Sequence, residues 1–267
     1  MLSRVTVFGL GEAGSLFAAD LVAAEIAVTG FDPAPVATPD GVNRTLTPEE
    51  AVADAELVIA LTPGSDAMTA LTQAIDDIPE TALYADLSTA SAATKKALAA
   101  RAAGRNLLFI DVALMGTVPG RGLRTPALAS GPGAERYVAL VTDLNVPVAR
   151  IAGDAGNAAT RKLLRSVMMK GLAALMIESM WAAEQAGCAE WLWKDLAKEI
   201  SAADEALLSR LVHGTLTHAK RRLHEMRACE DLLNELGQDP VMTHATVESL
   251  KRVLSIGIPE IPESPES

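Results

Sequence analysis

The first half of the chain alternates short apolar runs with stretches of helical periodicity. Runs of strand length occupy residues 4–9, 27–31, 57–61, 82–85 and 108–110. The helical stretches lie at 12–24, 64–76 and 91–103, and a final βαβ-like stretch spans about 124–151. Strands that are apolar on both faces and alternate with helices predict a mostly parallel sheet covered on two sides.

The second half of the chain lacks strand signals. One helical pattern begins at Asn157 and continues to about Gln185, where Gly187 stops it. Further helices are predicted at 190–212, 216–236 and 241–254, with breaks at His213-Gly214 and at 237–240.

These patterns predict two domains and a tail. Residues 1–153 form an α/β domain, residues 154–257 form an all-α domain that begins with a long interdomain helix, and residues 258–267 are rich in Pro and Glu. Such a composition is typical of a disordered tail.

Composition narrows the class of protein. Apolar residues make up 49% of the chain, enough for a sizeable core, and the formal net charge is −11. That charge disfavours nucleic acid and anionic membrane surfaces as partners. No apolar run reaches membrane-spanning length and no secretory signal pattern is present, so a cytoplasmic location is predicted. Cys188 and Cys229 have no metal-ligand spacing, and no histidine-carboxylate grouping suggests a metal site.

A glycine-rich turn links the first strand to the first helix. It reads Gly9-Leu10-Gly11-Glu12-Ala13-Gly14, and Asp32 ends the second strand 21 residues after Gly11. In such a turn the first glycine allows the tight bend, the second lets a pyrophosphate approach the backbone, and the third permits close helix–strand packing. The helix N-terminus adds free N–H groups and a partial positive charge. A Rossmann domain that binds a dinucleotide is therefore predicted, with further cofactor contacts from Leu61-Thr62-Pro63 and Ser88.

Asp32 favours NAD over NADP. Its carboxylate is expected to accept hydrogen bonds from the adenosine ribose and to repel a 2′-phosphate. The residues that follow it, Pro33-Ala34-Pro35, include no arginine, and Arg44 is the nearest candidate to compensate that charge. NAD is the predicted cofactor, with NADP as an alternative.

Three segments resemble the β-hydroxyacid dehydrogenases, meaning 3-hydroxyisobutyrate dehydrogenase and its relatives and, more distantly, 6-phosphogluconate dehydrogenase. They are the glycine-rich turn Gly153–Gly156 with Lys162, the loop Asp86-Leu87-Ser88-Thr89, and the segment Asp111–Thr117. The resemblance covers about the first 190 residues. It implies that Lys162 is the catalytic lysine, that the Ser88-Thr89 loop lies beside nicotinamide and substrate, and that the protein forms a homodimer through its helical domain.

The chain also departs from the family pattern. Met115 and Thr117 replace a serine and a glycine, so only Gly116 transfers, and Arg165-Ser166 stand where the family has a substrate-binding asparagine. The features resemble a branch with a distinct C-terminal helical domain.

Cations on one face of the long helix predict an anionic substrate. Lys162, Ser166 and Lys170 are spaced four residues apart, and Arg165 is adjacent. Neighbouring cations favour the neutral amine of Lys162, which could then remove a hydroxyl proton. The predicted substrate-binding residues are Ser88, Thr89, Gly116, Arg165, Ser166, Lys170, His218 and Arg222.

Several residues have a second interpretation. Ser88 and Thr89 could cap the following helix, and the charged run that contains His218 and Arg222 could be a solvated helix face rather than a wall of the substrate pocket. The three tryptophans, at 181, 191 and 193, fit core or dimer packing better than a ligand cage.

The predicted function is the interconversion of a small anionic hydroxyacid and its carbonyl form by hydride transfer. Two alternatives stay open. One is an imine reductase, although those enzymes usually lack the lysine, and the other is a non-catalytic dinucleotide-binding protein.

Overall fold

A computed structural model describes residues 2–261 of the chain. The strands are β1 (Arg4–Phe8), β2 (Ala27–Phe31), β3 (Val42–Arg44), β4 (Leu57–Ala60), β5 (Leu83–Asp86), β6 (Leu108–Leu114), β7 (Ala127–Ser130) and β8 (Val148–Arg150). The helices are α1 (Glu12–Ala23), α2 (Pro48–Val52), α3 (Ala67–Ala74), α4 (Ala92–Ala103), α5 (Ala134–Thr142), α6 (Asn157–Gln185), α7 (Ala189–Ser201), α8 (Glu205–Glu235) and α9 (Val241–Ile256).

The strands form one twisted sheet of the Rossmann type. Within the described residues it has eight strands in the order β3-β2-β1-β4-β5-β6-β7-β8. Neighbours are parallel except β6 and β7, which pair antiparallel. The order reverses between β1 and β4, and ligands bind at such a switch point in open α/β sheets.

The sheet is buried on both faces, as the continuous apolar runs predict. Successive strand residues point to opposite faces, so the strands contribute to two hydrophobic clusters. One cluster contains Val5, Val7, Leu57 and Ile59, and the other contains Val58, Ala60, Tyr84 and Phe109. The prediction of an α/β Rossmann domain with a mostly parallel sheet is confirmed.

Two compact units divide the chain within α6. Residues up to Arg165 belong to the first unit and residues from Ser166 onward to the second. The predicted boundary at residue 153 lies before this helix, which runs from one unit into the other. Residues 258–261 form neither helix nor strand, and the remainder of the predicted tail, 262–267, lies outside the described residues.

The second unit is helical, but one predicted break is wrong. Helix α8 continues through His213-Gly214, and the chain breaks earlier, at 202–204, where Asp204 caps the new helix by accepting from the Leu207 N–H at 2.8 Å. A single helical glycine costs only about 1 kcal/mol, too little to end the helix. The irregularity falls instead at His218, whose φ of −116° and ψ of 20° kink α8.

The tryptophans are not core residues of this chain. Trp181, Trp191 and Trp193 are 58%, 65% and 56% exposed, so the interpretation as core packing is wrong. Packing against a second chain stays a prediction.

A buried carboxylate ties α6 to α9 within the second unit. Glu178 accepts hydrogen bonds from the backbone N–H of Met242 at 2.6 Å and of Thr243 at 2.8 Å. These groups are in the first turn of α9, and Pro240 at the cap offers no side-chain acceptor for them. Burial alone would raise the pKa of Glu178, but these hydrogen bonds and one from the Thr243 hydroxyl outweigh it and lower that pKa.

Candidate active site

The glycine-rich turn after β1 has the three geometries that its spacing predicts. Gly9 has a φ of 83°, and a Cβ there would lie 2.7 Å from the Leu61 carbonyl oxygen. A Cβ on Gly14 would lie 1.7 Å from the carbonyl oxygen of Gly9, so α1 approaches the strand too closely for any side chain. A Cβ on Gly11 would meet nothing within 4 Å. The turn therefore leaves open space in front of Gly11, where a phosphate group fits.

Asp32 is positioned at the end of β2 by backbone donors. One carboxylate oxygen accepts from the Leu10 N–H at 2.7 Å and the other from the Ala34 N–H at 2.8 Å. The carboxylate predicted to bind the ribose is thus fixed to the glycine-rich turn.

Arg44 braces the loop that follows Asp32. Its guanidinium donates to the backbone carbonyls of Asp32 at 2.9 Å and of Ala34 at 2.5 Å, and also to the carbonyl of Val36. A guanidinium has five N–H donors, and Arg44 directs several of them at the chain itself.

A cleft of about 680 Å³ adjoins this turn. Its lining includes Gly9, Gly11, Asp32, Leu61, Thr62, Pro63, Asp66 and Gln73. Its charged lining residues are Asp32 and Asp66, and neither lysine nor arginine is among the described residues that line it. The hydroxyl of Thr62 is buried and has no hydrogen-bond partner within the described part of the chain. The open space at Gly11 and this hydroxyl fit a nucleotide. Among the other predicted cofactor residues, Glu12 is exposed and Ala13 half-buried at the start of α1.

The loop after β5 carries Ser88 and Thr89. Asp86, which is fully buried, accepts from the Ser88 N–H at 3.1 Å and from the Ser88 hydroxyl at 3.0 Å. Helix α4 is capped by Ser91, which accepts from the Thr94 N–H at 3.1 Å. The alternative that Ser88 and Thr89 are the capping residues is therefore wrong, because Ser91 is the residue next to the first helical turn.

Lys162 lies beside this loop. Its Nζ donates to Thr89 Oγ1 at 2.9 Å, and both residues line a small cavity with Ser88. The loop after β4 is close by, since a Cβ on Gly64 would lie 2.4 Å from the Thr89 carbonyl oxygen. Lys162 therefore lies beside the Ser88-Thr89 loop, and that loop contacts the one after β4, in which residues 61–63 line the cleft beside the glycine-rich turn.

Residues of β6 and β7 bond the start of α6. Gly156 precedes the helix with a φ of 99°, and a Cβ there would lie 2.9 Å from the Ala92 carbonyl oxygen. One carboxylate oxygen of Asp111 on β6 accepts from the N–H groups of Gly156 at 2.9 Å and Ala159 at 3.1 Å. Ser130 on β7 accepts from the Ala158 N–H at 3.0 Å. These residues fix the helical turn that carries Lys162.

Sequence reasoning missed Lys95. Its Nζ is 2.9 Å from a carboxylate oxygen of Asp86 and 3.6 Å from one of Asp111, and all three side chains are at most 1% exposed. The sequence did hold a signal for it. Lys95 lies three and seven residues before Leu98 and Ala102, which form the buried face of α4.

The predicted substrate residues are divided between the two units. Arg165 donates to the Met115 carbonyl at 3.0 Å, next to the exposed Gly116. Ser166, Lys170, His218 and Arg222 belong to the second unit. There Arg222 donates to the Leu211 carbonyl at 3.3 Å and to the Thr215 hydroxyl, on the other side of the kink at His218. Their contact with substrate stays a prediction.

Residues 2–261 contain no cluster of histidine, cysteine or carboxylate side chains suited to a metal ion. None of the helices in the same span is both long enough and apolar enough to cross a membrane.

The fold and this site define a protein that binds a nicotinamide dinucleotide. Residues 4–140 match the NAD binding domain of 6-phosphogluconate dehydrogenase, and the chain belongs to that family. Residues 183–253 match a domain of unknown function, DUF1932. The cofactor is therefore NAD or NADP.

Curated relatives match about half of the chain. A probable 3-hydroxyisobutyrate dehydrogenase of Mycobacterium tuberculosis is 32% identical over 135 residues, which are 49% of this chain and 46% of that protein. An uncharacterized 28.5 kDa protein of Methanothermus fervidus is 26% identical over 145 residues, 54% of this chain and 56% of that protein. The chain thus spans about half the length of the curated relatives it matches.

Solved structures share the fold over nearly the whole chain. An imine reductase of Streptomyces aurantiacus has a TM-score of 0.82 at 19% identity, covering 96% of this chain and 95% of that one. A reductive aminase of Aspergillus terreus, solved with NADPH4, cyclohexanone and allyl amine, has a TM-score of 0.80 at 18% identity with the same coverage. A conserved hypothetical protein of Sinorhizobium meliloti has a TM-score of 0.62 at 24% identity, covering 96% and 89%.

Proposed function

We propose that this protein is an NAD-dependent oxidoreductase that interconverts a small anionic hydroxyacid and its carbonyl form, with Lys162 as general acid and base. The observation that carries the proposal is the hydrogen bond of 2.9 Å between Lys162 Nζ and Thr89 Oγ1. It sets an amine at the carboxyl edge of the sheet, beside the loops that follow β4 and β5.

The role of Lys162 follows from its position and chemistry. The chemistry that bound NAD supplies is the acceptance or return of a hydride. The neutral amine of Lys162 removes the proton of the substrate hydroxyl, and its ammonium form returns that proton in the reverse direction. Thr89 orients the amine, because its Oγ1 accepts a hydrogen bond from Lys162 Nζ.

The preference for NAD rests on the electrostatics of the cleft. A 2′-phosphate would meet the Asp32 carboxylate in a cleft whose charged lining residues within the described chain are both acidic. Arg44 directs its terminal N–H groups at the carbonyls of the loop between Asp32 and Val36, so these donors do not point at a 2′-phosphate.

The anionic group of the substrate is assigned to cations that follow Lys162 on α6. Arg165 is exposed, and its guanidinium donates to the Met115 carbonyl at 3.0 Å. Lys170 is exposed on the same helix in the second unit. A guanidinium suits a carboxylate or phosphate because its N–H groups can bond two oxygens at once.

A substrate screen tests the proposal. The full chain is incubated with small 3-hydroxy acids and with NAD or NADP, and NADH or NADPH absorbance is followed. Oxidation of at least one hydroxyacid with NAD, and weaker turnover with NADP, is expected. Saturable NADH binding with no turnover of any hydroxyacid would contradict the proposal and favour a non-catalytic dinucleotide-binding protein.

Imine reduction is the second candidate, and the shared fold of the imine reductase from Streptomyces aurantiacus favours it. The same assay decides between the two when cyclic imines and NADH or NADPH are added. Turnover of imines that survives replacement of Lys162 would select imine reduction, since the hydroxyacid reaction requires that amine.

We also propose that the protein is a homodimer through its helical unit. Apolar side chains of α6 and α7 are exposed in the single chain, among them Val167, Trp181 and Trp191 at 73%, 58% and 65%. Burial of such a face contributes about 25 cal/mol per Å² of apolar area to dimer formation, against which the entropy cost of association is set. Light scattering should give twice the chain mass of 27.9 kDa. A monomer that binds NADH normally would contradict this assignment.

A further inference from the structure

A cluster of three charged side chains is buried in the first unit beneath the candidate active site. Asp86 on β5 and Asp111 on β6 are register partners on adjacent parallel strands. Lys95 enters from α4 and donates to the Asp86 carboxylate at 2.9 Å and to the Asp86 backbone carbonyl at 2.8 Å. Its distance to Asp111 is 3.6 Å. Two facing carboxylates would repel each other in this dry environment, and the ammonium between them offsets that repulsion.

Each carboxylate of the cluster holds a different part of the site. Asp86 accepts both the N–H and the hydroxyl of Ser88, which fixes the loop that ends in Thr89. Asp111 accepts the N–H groups of Gly156 and Ala159, which fixes the first turn of α6. Thr89 and Lys162 are the residues through which these two parts meet.

We infer that Lys95 is a positioning residue that holds the Ser88-Thr89 loop and the start of α6 in register, so that Thr89 and Lys162 stay in contact. The inference rests on the proposed function, since it gives Lys95 a role at the site of Lys162. Lys95 acts through Asp86 and Asp111, the two carboxylates beside its ammonium group. An apolar side chain at this point could fill the same space, but it would remove the donor that bonds Asp86 and the charge that lies 3.6 Å from Asp111.

The test measures the two parts of the site without cofactor or substrate. Amide hydrogen exchange, read by peptide mass spectrometry on the full chain, compares wild type with Lys95→Met and with the matched control Lys96→Met, which alters the exposed neighbouring lysine. In Lys95→Met, residues 87–90 and 156–160 are both expected to exchange about tenfold faster, while residues 9–14 keep their rates. Lys96→Met should leave all three segments unchanged.

A second readout follows Lys162 itself. Acetylation of Lys162 by acetic anhydride, relative to the exposed Lys194, should become about fivefold faster in Lys95→Met, the factor expected from loss of one hydrogen bond. The pH profile of that labelling should move as well, whereas the profile of Lys194 should not. A general loss of stability would alter both lysines alike.

A third variant covers the case in which Lys95→Met does not fold. Asp111→Asn preserves side-chain shape and removes one charge, and it should speed exchange at 87–90, although Asp111 does not bond that loop. Faster exchange confined to 156–160, an even increase over the whole sheet, or an equal effect of Lys96→Met would overturn the inference. None of these measurements uses turnover. A failed substrate screen therefore contradicts the proposed function alone, and a failed exchange experiment contradicts the role of Lys95 alone.

Discussion

The guanidinium of Arg44 donates a hydrogen bond to the backbone carbonyl of Asp32 at 2.9 Å, while the Asp32 carboxylate accepts hydrogen bonds from the Leu10 and Ala34 N–H groups. Arg44, the nearest arginine in sequence that could compensate Asp32, therefore holds the loop that contains Asp32. Asp32 is left as the charge that a 2′-phosphate would meet.

Replacement of Asp32 by serine should relax the preference for NAD. The variant loses the repulsion with a 2′-phosphate, so the ratio of the Kd for NADPH to the Kd for NADH should fall by about tenfold, or 1.4 kcal/mol. Fluorescence titration with NADH and NADPH measures both constants. Asp66→Ser removes the other acidic side chain of the cleft and is the matched control. An equal change of the ratio in both variants would show that Asp32 has no special role.

Two alanine substitutions in one turn should have opposite consequences. Gly11→Ala places its Cβ in open space, so the free energy of unfolding should hardly change while NADH affinity falls at least about tenfold. Gly14→Ala forces a Cβ against the Gly9 carbonyl and should destabilise the protein by about 1–3 kcal/mol. Urea unfolding and NADH titration separate the two effects. Unaltered NADH binding by Gly11→Ala would argue against a phosphate at this turn.

Thr89→Val should lower kcat by about tenfold to a hundredfold, because the amine of Lys162 loses the oxygen that orients it. Thr89→Ser keeps a hydroxyl and should stay close to wild type. The comparison is made with the substrate found in the screen, at saturating NAD. If the valine and serine variants have the same kcat, the hydrogen bond does not matter for turnover.

Glu178→Gln should destabilise the helical unit by about 1.5–3 kcal/mol at neutral pH, since a charged acceptor of the α9 N–H groups is lost. The folded-state pKa of Glu178 lies below its usual value of 4.5. Its contribution is therefore present above pH 4.5 and declines as the pH falls through the lower folded-state pKa.

The fluorescence of the three tryptophans reports on the second unit, in which all of them lie. Urea unfolding followed in this way measures the free energy of unfolding, and the difference in that free energy between wild type and Glu178→Gln should become smaller below pH 4.5. A difference that becomes larger on acidification would contradict the role of the Glu178 carboxylate at the start of α9.

The long periodic elements could be predicted from the sequence because their patterns are local. The strand at 27–31 and the helix from Asn157 to Gln185 have the predicted bounds. The edge strand β3 and the short helix α2 were missed, since three and five residues carry too little periodicity. The break expected at Gly214 failed because a single glycine is tolerated inside a helix.

The site divides in the same way. The glycine turn and Asp32 belong to one local motif, and the resemblance located Lys162 and Thr89. The spacing of α4 indicates that Lys95 is on its buried face, but the contact of Lys95 with Asp86 and Asp111 could not be predicted, because it depends on the pairing of β5 with β6. Such contacts join residues that are distant in sequence.

The most direct test of the account is Lys162→Met, measured for NADH affinity and for turnover of the hydroxyacid found in the screen. Lys194→Met, which alters an exposed lysine paired with Glu190, is the control. A general acid and base role for Lys162 predicts that Lys162→Met binds NADH within about twofold of wild type while kcat falls by about 10²–10⁴-fold, the contribution of such a positioned group. Turnover at the wild-type rate in Lys162→Met would contradict it.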